Sequence, residues 1–186
     1  MEKTHELFRE TISAKKGLTS RLKEWFFRRY WGYLMAVSLR YVTDRELARE
    51  LVNDSFVKIF KALEHFEYPK ECTDPEKPMK TWIARITART CLNELRKQKP
   101  DIAHDLDFYD HQMPVAQISD KLELADLLKL LDVLQPLHRA VFNLYEIEGY
   151  NHEEIGKLLN IPAGSSRTYL TRAKERMRNA YDKLYK

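Results

Sequence analysis

Few folds accommodate the segment 151–178, NHEEIGKLLNIPAGSSRTYLTRAKERMR. Asn151, with Glu154 three residues later, predicts a capping box at the start of a helix. The apolar face of that helix is formed by Ile155, Leu158 and Leu159. Asn160 tolerates the left-handed conformation at a helix end, and Pro162 suits the first turn of the next helix. A short helix, a tight turn and a basic second helix together predict a helix-turn-helix.

The second helix of this pair has one face suited to a protein core and another suited to DNA. Its apolar stripe, at steps of three and four residues, consists of Ser166, Leu170, Ala173, Met177 and Tyr181. The roughly opposite face carries Ser165, Thr168, Thr171 and Arg172, and the flanks carry Arg167, Tyr169 and Arg176. Short hydroxyls and arginines near a helix start suit phosphates and base edges, which predicts a recognition helix. The alternative is an ordinary helical hairpin with solvated arginines.

The composition favours an all-α protein that forms one domain or two small ones. The chain has 186 residues, and its 44% hydrophobic content is enough to bury a core. Five glycines and seven prolines are few, whereas Leu, Ala, Glu, Lys and Arg are abundant. Because no stretch alternates between apolar and polar residues as a strand would, we expect helices throughout.

Positive charge lies in two separate segments, although the net charge is only +4. Five Lys or Arg residues in 81–99 accompany a single acid, and seven in 164–186 accompany two acids. The stretch 101–120 has the opposite character, with five aspartates and no Lys or Arg. Local charge of this kind matters more for binding than the total does. Because Pro100 and Pro114 also oppose a long helix there, we predict a linker between two domains.

The first half of the chain predicts three helices and one irregular loop. Dense apolar and aromatic residues in 22–41 indicate a buried helix. Thr43 with Glu46 predicts a capping box for the second helix. The apolar face of the second helix consists of Val52, Phe56, Ile59, Phe60, Leu63 and Phe66. The segment 67–80 has three prolines and no apolar period, which indicates an irregular loop before a third helix resumes near Trp82.

The third helix combines basic side chains with a tryptophan. Beside Trp82, its polar and basic residues are Arg85, Arg89, Asn93, Arg96 and Lys97. Exposed rings stack on unpaired bases and basic groups bind phosphates, so the composition suits single-stranded nucleic acid. The alternative is that Trp82 packs in a core and the arginines are ordinary surface charges. On composition alone this alternative is the stronger interpretation.

The residue pattern argues against an enzyme or a metal site. Glu153 and Glu154 are adjacent, so on a helix their side chains diverge by about 100° and do not easily share a proton or a metal. His152 lies at a helix start, where a surface or capping role is expected. Cys72 and Cys91 lack the spacing of a zinc site and are expected to be reduced thiols. Because no nucleophile motif, phosphate loop or HExxH is present, we expect no cofactor.

We expect a cytoplasmic protein with no direct insertion into a membrane. The longest uncharged apolar run, residues 30–39, is about half of the roughly 20 residues that a span requires. Arg29 and Arg40 close this run at its two ends. The N-terminus is charged and lacks the pattern of a signal peptide.

Three segments, in chain order, resemble the bacterial sigma-70 family. RELARELVNDSFVKIFKALEHF, residues 45–66, is similar to the helix of region two that binds core RNA polymerase. TWIARITARTCLNELRKQ, residues 81–98, is similar to the promoter-melting helix, and residues 134–178 are similar to region four. We expect no region-one extension and no full region three, since the chain has no room for them. This two-domain minimum resembles the extracytoplasmic-function (ECF) group.

For the first domain, the resemblance implies that residues 1–99 form region two and that residues 100–120 form an acidic linker to region four at 121–186. The clamp helices of the polymerase large subunit would bind Glu50, Asn53 and Asp54, where a Gln is more usual than Asn53. The loop 67–80 and the third helix would capture a flipped-out base and a separated strand of the minus-ten element. The residues of that helix are Trp82, Arg85, Arg89, Asn93, Arg96 and Lys97.

For the second domain, the resemblance implies contact with the minus-thirty-five element. The residues at the matching positions are Ser165, Arg167, Thr168, Thr171 and Arg172. Apolar residues around Leu137, Val141 and Leu144 would help to form the surface that docks on the polymerase flap, and Ser166 stands where a Val is usual. By composition, the linker aspartates could imitate the charge of a transcript near the RNA exit path. If so, neutralising these aspartates should alter abortive initiation; they are Asp101, Asp105, Asp107 and Asp110.

The resemblance also implies partners, which are core RNA polymerase, promoter DNA and a regulatory anti-sigma factor that covers the binding faces. The polymerase would supply the catalysis and its magnesium, so the chain itself is expected not to be an enzyme. The main alternative is a stand-alone helix-turn-helix regulator that binds duplex DNA by itself as a dimer. A small nucleic-acid enzyme is a third hypothesis, which the lack of clustered acids disfavours.

Overall fold

The computed structural model describes residues 19–66, 76–98 and 124–185, and every regular element within these ranges is helical. Its α-helices are α1 (Ser20–Leu39), α2 (Arg45–Ala62), α3 (Glu76–Gln98), α4 (Leu124–Asp132), α5 (Pro136–Phe142), α6 (His152–Leu159) and α7 (Ala163–Tyr185). A 3-10 turn follows α2 at Leu63–His65, and a π-helical turn follows α5 at Asn143–Ile147. The all-α prediction is confirmed. The chain forms two compact units, of which the first contains α1, α2 and α3 as far as Cys91 and the second contains α4 to α7.

In the first unit, α1 and α2 pack through aromatic rings. Phe26 is fully buried, and its ring centroid lies 6.4 Å from that of Phe56 in an edge-to-face arrangement. Four residues of the predicted apolar face are buried, Val52, Phe56, Ile59 and Leu63, and the other two, Phe60 and Phe66, are half-buried. Leu63 and Phe66 lie beyond the end of α2. Met79 and Ile83 add two fully buried side chains from α3. Each such side chain stabilises the unit by about 1.5 to 3 kcal/mol relative to an exposed one.

Helix α2 begins with a different cap from the one that the sequence predicted. Asp44, and not Thr43, is the N-cap, and its Oδ1 accepts hydrogen bonds from the backbone N–H groups of Glu46 at 2.8 Å and Leu47 at 3.3 Å. The predicted capping box is wrong, because an Asp side chain is available one residue later, and a carboxylate at a helix start is favoured by the helix dipole. The Glu46 side chain instead accepts a hydrogen bond from Arg49 at 2.9 Å.

Helix α3 begins at Glu76, inside the segment that was predicted to be an irregular loop. Pro78 is the third residue of the helix, where backbone N–H groups have no intrahelical partner, so proline loses no hydrogen bond there. Met79, which is fully buried, anchors the same turn in the core. The loop prediction is therefore wrong for residues 76–80. The predicted loop before Glu76 and the predicted linker fall in segments outside the described residues.

Helices α6 and α7 form the predicted helix-turn-helix. The Asn151 side chain accepts hydrogen bonds from the backbone of Glu153 at 3.0 Å and Glu154 at 2.9 Å, and the Glu154 carboxylate accepts one from the Asn151 backbone at 2.8 Å. This capping box is the one predicted from the sequence. Asn160 has the left-handed conformation expected of it, with φ 56° and ψ 47°. The turn at Asn160 directs the chain into α7.

The helix that precedes the helix-turn-helix ends in a π-helical turn. Leu144 and Tyr145 lie in this turn, which extends α5 without a break. The backbone N–H of Glu148 closes this turn on the carbonyl of Asn143 at 3.0 Å. Gly149 follows with φ 76°, a conformation that few other residues tolerate, and the helix ends there.

Candidate nucleic-acid interface

Helix α7 presents a polar and basic surface over its first turns. Arg167 and Thr171 are exposed, and the partly exposed residues beside them are Ser165, Thr168 and Arg172. The opposite stripe is buried as predicted, with Ser166, Leu170, Ala173 and Met177 inside and Tyr181 half-buried. The structure therefore brings all five candidate DNA-binding residues to one solvent-facing side of the helix.

Tyr169 lies in the core, although the sequence placed it on the flank of the recognition surface. Its side chain is 3% exposed, and its ring centroid lies 5.0 Å from that of His138 on α5. Helix α7 packs against both α5 and α6, so its buried side is wider than the single stripe that the spacing indicated. Tyr169 thus holds α7 in the domain and is not available to DNA.

Both threonines of the recognition surface donate hydrogen bonds within their own helix. Thr168 Oγ1 donates to the carbonyl of Gly164 at 3.3 Å, and Thr171 Oγ1 donates to the carbonyl of Arg167 at 3.1 Å. The hydroxyl oxygens keep lone pairs that can accept from a base amino group. Arg167 and Arg172 supply the donors that suit phosphates or guanine. This helix face can therefore both donate hydrogen bonds to DNA and accept hydrogen bonds from it.

A histidine joins the two helices of the helix-turn-helix. His152, the first residue of α6, has its Nδ1 atom 3.0 Å from Oγ of Ser166, which lies in α7. The imidazole stacks on the ring of Tyr145, with centroids 4.5 Å apart and an interplanar angle of 21°. His152 was expected to be a surface or capping residue. Its half-buried position and the contact with α7 correct that expectation, and no signal in the local sequence spacing pairs residues 14 apart.

Two cationic side chains of α7 act on His152. Burial lowers the pKa of the imidazole, and the positive charges of Arg167 and Lys174 lower it further. The Lys174 ammonium forms an ion pair with Glu146 of the π-helical turn, with a nitrogen–oxygen distance of 2.7 Å. The folded chain therefore disfavours the protonated form of His152.

Helix α3 exposes a basic stripe at four-residue steps. Its exposed members are Lys77, Thr81, Arg85, Arg89 and Asn93, followed in the last turns by Arg96 and Lys97. Steps of four residues keep these side chains on one side of a helix. All the basic residues predicted to contact the melted strand are exposed. Lys77 was missed because it lay in the segment predicted to be a loop, although the four-residue repeat from 77 to 93 could have revealed it.

Trp82 combines features of both interpretations made from the sequence. Its ring is half-buried and lies 4.9 Å from the ring of Phe66, at an interplanar angle of 45°. The remaining exposed part borders the basic stripe of α3. Lys58 of α2 contacts α3 elsewhere, since its Nζ atom donates a hydrogen bond to Oγ1 of the buried Thr90 at 3.0 Å. A partly exposed aromatic ring beside cationic groups suits an unstacked base.

One face of α2 exposes the residues expected to bind a protein partner. Glu50, Asn53 and Asp54 are all exposed. Val57 lies one turn further along the same face and is 54% exposed. An apolar side chain within a polar surface is typical of the centre of a protein interface. Val57 was missed in the sequence, although its spacing of three and four residues from Asp54 and Asn53 indicated the same face.

The expected flap-docking surface is wrong for two of its three residues. Val141 is fully buried and Leu144 is 1% exposed, whereas Leu137 is half-buried. Helix α5 packs against α7, and its buried apolar side chains are used in that packing. Val141 and Leu144 therefore belong to the core of the second unit.

Neither a metal cluster nor a membrane-spanning helix is found in the ranges that the structure describes. No three His, Cys, Asp or Glu side chains of these ranges are grouped so that they could hold a metal ion. No helix there is both long enough and apolar enough to cross a bilayer.

Comparison with known proteins assigns both halves of the chain. Residues 26–100 match the family model for sigma-70 region 2, and residues 124–177 match the model for sigma-70 region 4. The chain is 25% identical over 169 residues to the RNA polymerase sigma-H factor of Pseudomonas aeruginosa, covering 84% of each. It is 26% identical to the ECF RNA polymerase sigma-E factor of Haemophilus influenzae, covering 84% of this chain and 85% of the relative.

A solved structure shares the fold. The chain superposes with a TM-score of 0.50 on the sigma factor RpoE from Bartonella quintana, in its co-crystal structure with the anti-sigma factor NepR. The sequence identity is 19%, with 88% of this chain and 98% of that chain covered. Matches to two regions in this order, together with the helix-turn-helix, define a class of transcription initiation proteins. The chain belongs to the sigma-70 family, in its ECF group.

Proposed function

We propose that the chain is an ECF sigma factor that binds core RNA polymerase, directs it to specific promoters and assists their melting. The observation that carries this proposal is the order of the region 2 and region 4 matches on a chain whose exposed polar faces lie within them. We assign residues 1–99 to region 2, 100–120 to an acidic linker and 121–186 to region 4. The polymerase supplies the catalysis, so the chain acts as a binding factor and not as an enzyme.

Core polymerase binds the exposed face of α2 in this proposal. Glu50, Asn53 and Asp54 provide carboxylate and amide groups around the exposed Val57. Such an arrangement suits a partner helix that brings basic groups to the rim and an apolar side chain to the centre. The clamp helices of the polymerase large subunit are the partner that the family provides.

The minus-ten element binds along the basic stripe of α3. Arg85 and Arg89 are exposed, and Arg96 and Lys97 continue the positive charge in the last turns of the helix. Separating the strands costs a few kcal/mol for each unstacked step, and binding of the exposed strand offsets that cost. Trp82 contributes the exposed part of its ring as a stacking surface for an unpaired base.

The minus-thirty-five element binds the first turns of α7. A recognition helix enters the major groove with its N-terminal residues on base edges. Arg167 and Thr171 are the most exposed polar groups of that part of α7, with Arg172 on the same side. The two DNA contacts, on α3 and α7, account for a chain with two separate basic segments.

An anti-sigma factor is the third partner that we propose. The Bartonella quintana sigma factor was crystallised in complex with such a protein. A partner that covers the exposed faces of α2 and α7 would block polymerase and DNA together. It would thereby hold the chain inactive until the partner is released.

A run-off transcription assay tests the proposal. Transcript starts mapped after overexpression supply a promoter, and core polymerase is then assayed on it with and without the purified chain. We expect specific transcripts only when both are present. A stand-alone regulator would bind the same DNA without polymerase and would not restore initiation, and the match to region 2 over residues 26–100 already disfavours it.

A further inference from the structure

The contact between His152 and Ser166 bridges the two helices that form the helix-turn-helix. Ser166 is fully buried, and the Nδ1 atom of His152 lies 3.0 Å from its hydroxyl oxygen. A buried hydroxyl that loses its hydrogen-bond partner is destabilising, so the pair favours one orientation of α7 against α6. The residue before Ser166 and the residue after it both belong to the proposed DNA-binding surface.

The imidazole is itself held in place by the π-helical turn. Its ring stacks on Tyr145 at 4.5 Å, and the neighbouring Glu146 forms an ion pair with Lys174 of α7 at 2.7 Å. Contacts therefore run from α6 to α7, from α7 to the π-helical turn, and from that turn back to α6. A π-helical turn often marks a functional position, and here it brings Tyr145 against His152.

The position of Ser166 gives this contact a consequence for recognition. A tilt of α7 about its C-terminal part displaces its first turn most, so Ser165 and Arg167, which flank Ser166, move together. Arg172 lies more than a turn further along α7 and is displaced less by a tilt of the first turn. Loss of the His152 contact should therefore alter recognition by Ser165 and Arg167 more than recognition by Arg172.

We infer that His152 is a positioning residue for promoter recognition, which sets, through Ser166 and supported by Tyr145, the angle at which Ser165 and Arg167 meet the upstream element. The inference rests on the proposed function, since it concerns how α7 lies on DNA. It also gives a role to the hydroxyl of Ser166, which is a polar residue in an otherwise apolar stripe of α7.

The test uses the full chain bound to core polymerase and a library of promoter fragments with a constant minus-ten region and a randomised upstream element. Retained fragments are sequenced, which gives a preference at each base pair. His152→Phe keeps a ring against Tyr145 but removes the ring nitrogen, and Ser166→Ala removes the hydroxyl from the other side. His152→Asn places an amide near the position of Nδ1 and serves as the conservative variant. Thermal unfolding of every variant is measured in parallel.

We expect His152→Phe and Ser166→Ala each to reduce preference about three- to tenfold at the base pairs near Ser165 and Arg167, a range that coupled contacts allow. Preference at the base pair that Arg172 contacts should stay within about twofold of the wild type. The double variant should lose no more preference than either single variant, because both remove the same contact. His152→Asn should keep most of the preference that His152→Phe loses. If His152→Phe does not fold, Ser166→Ala decides the result.

Two results would overturn the inference. One is an unchanged upstream profile in both single variants. The other is an equal loss at every upstream position that follows the fall in unfolding temperature, which would reduce the pair to a purely structural contact. Failure of the proposed function is distinguishable from both, because the wild-type complex would then show no upstream preference at all.

Discussion

Two nitrogen atoms of Arg29 on α1 converge on Oε1 of Glu76 at the start of α3, Nη2 at 2.6 Å and Nε at 3.2 Å. The second oxygen of Glu76 forms an ion pair with Lys80 at 2.9 Å. One carboxylate therefore fastens the first turn of α3 to α1. Because the basic stripe begins in that turn with Lys77, the ion pair fixes where the proposed DNA surface starts.

Substitution of Glu76 by Gln should destabilise the first unit by about 0.5 to 1 kcal/mol, since partly exposed ion pairs contribute little. All three tryptophans lie before residue 92, so their fluorescence reports the urea unfolding of this unit. Glu24→Gln is the matched control, because it breaks a more exposed pair with Arg28 and should cost only about a few tenths of a kcal/mol. Equal midpoints for the two variants would contradict the assigned role of Glu76.

The same carboxylate predicts a pH dependence. Burial acts to raise the pKa of Glu76, but hydrogen bonds and charges from Arg29 and Lys80 outweigh it and hold that pKa below its ordinary value. The contribution to stability is therefore complete above the ordinary pKa of about 4.3 and is lost as the pH falls through the lower folded value. Urea unfolding between neutral pH and acid should show this loss in the wild type and not in Glu76→Gln.

His152 predicts a second pH dependence at higher pH. Burial, and then the charges of Arg167 and Lys174, lower its pKa in the folded chain, so the unfolded chain binds the proton more readily. Stability should be complete above about pH 6.5 and should fall as the pH decreases towards the folded pKa. Nuclear magnetic resonance titration of the ring measures that pKa directly. Lys174→Gln should raise it, and a wild-type value at or above 6.5 would contradict the assignment.

Two glycines of the helix-turn-helix should respond oppositely to alanine. A Cβ at Gly156 would lie 2.8 Å from the carbonyl oxygen of Ile161 and 3.5 Å from the backbone nitrogen of Ala163, whereas a Cβ at Gly164 would meet nothing within 4 Å. Gly156→Ala should destabilise the second unit by about 1 to 3 kcal/mol. Gly164→Ala should be neutral or stabilising by up to about 1 kcal/mol, because alanine favours helix. Circular dichroism during urea unfolding measures both, and a tolerated Gly156→Ala would show that the turn can relax.

Arg172→Ala should cost about 1 to 3 kcal/mol of promoter binding if the guanidinium reads a base, and should relax preference at one upstream position. Arg176→Ala, one turn further along α7 at an exposed position, is the matched comparison. Binding of the polymerase complex to a set of single-base upstream variants distinguishes the two roles. A uniform loss across all sequences would make Arg172 a phosphate contact.

The parts of the fold that depend on neighbouring residues were predictable from the sequence. The capping box of Asn151 and Glu154 and the left-handed Asn160 involve groups within a few residues of one another, so spacing alone determined them. The start of α3 was not predictable from the sequence, because it depends on the burial of Met79 and on Arg29, which lies 47 residues from Glu76 in sequence. Pro78 was interpreted as a breaker where it occupies a first turn that tolerates it.

The candidate site shows the same division. Periodicity placed Thr168, Thr171 and Arg172 on one exposed or partly exposed face, because a helix of known phase determines which side chains lie together. It failed for Tyr169, since the width of a buried face depends on how many helices pack against it. The contact of His152 with Ser166 depends on the packing of two helices, which no local pattern records.

Permanganate footprinting of a mapped promoter tests the central claim most directly, because it reports unpaired thymines. With the chain and core polymerase together, we predict reactive thymines in the minus-ten region and a protected upstream element, with neither effect when one protein is omitted. Arg85→Ala with Arg89→Ala should reduce the reactivity while leaving polymerase binding intact. Two results would contradict the account. One is strand opening by polymerase without the chain. The other is upstream protection by the chain without polymerase, together with no strand opening when both proteins are present.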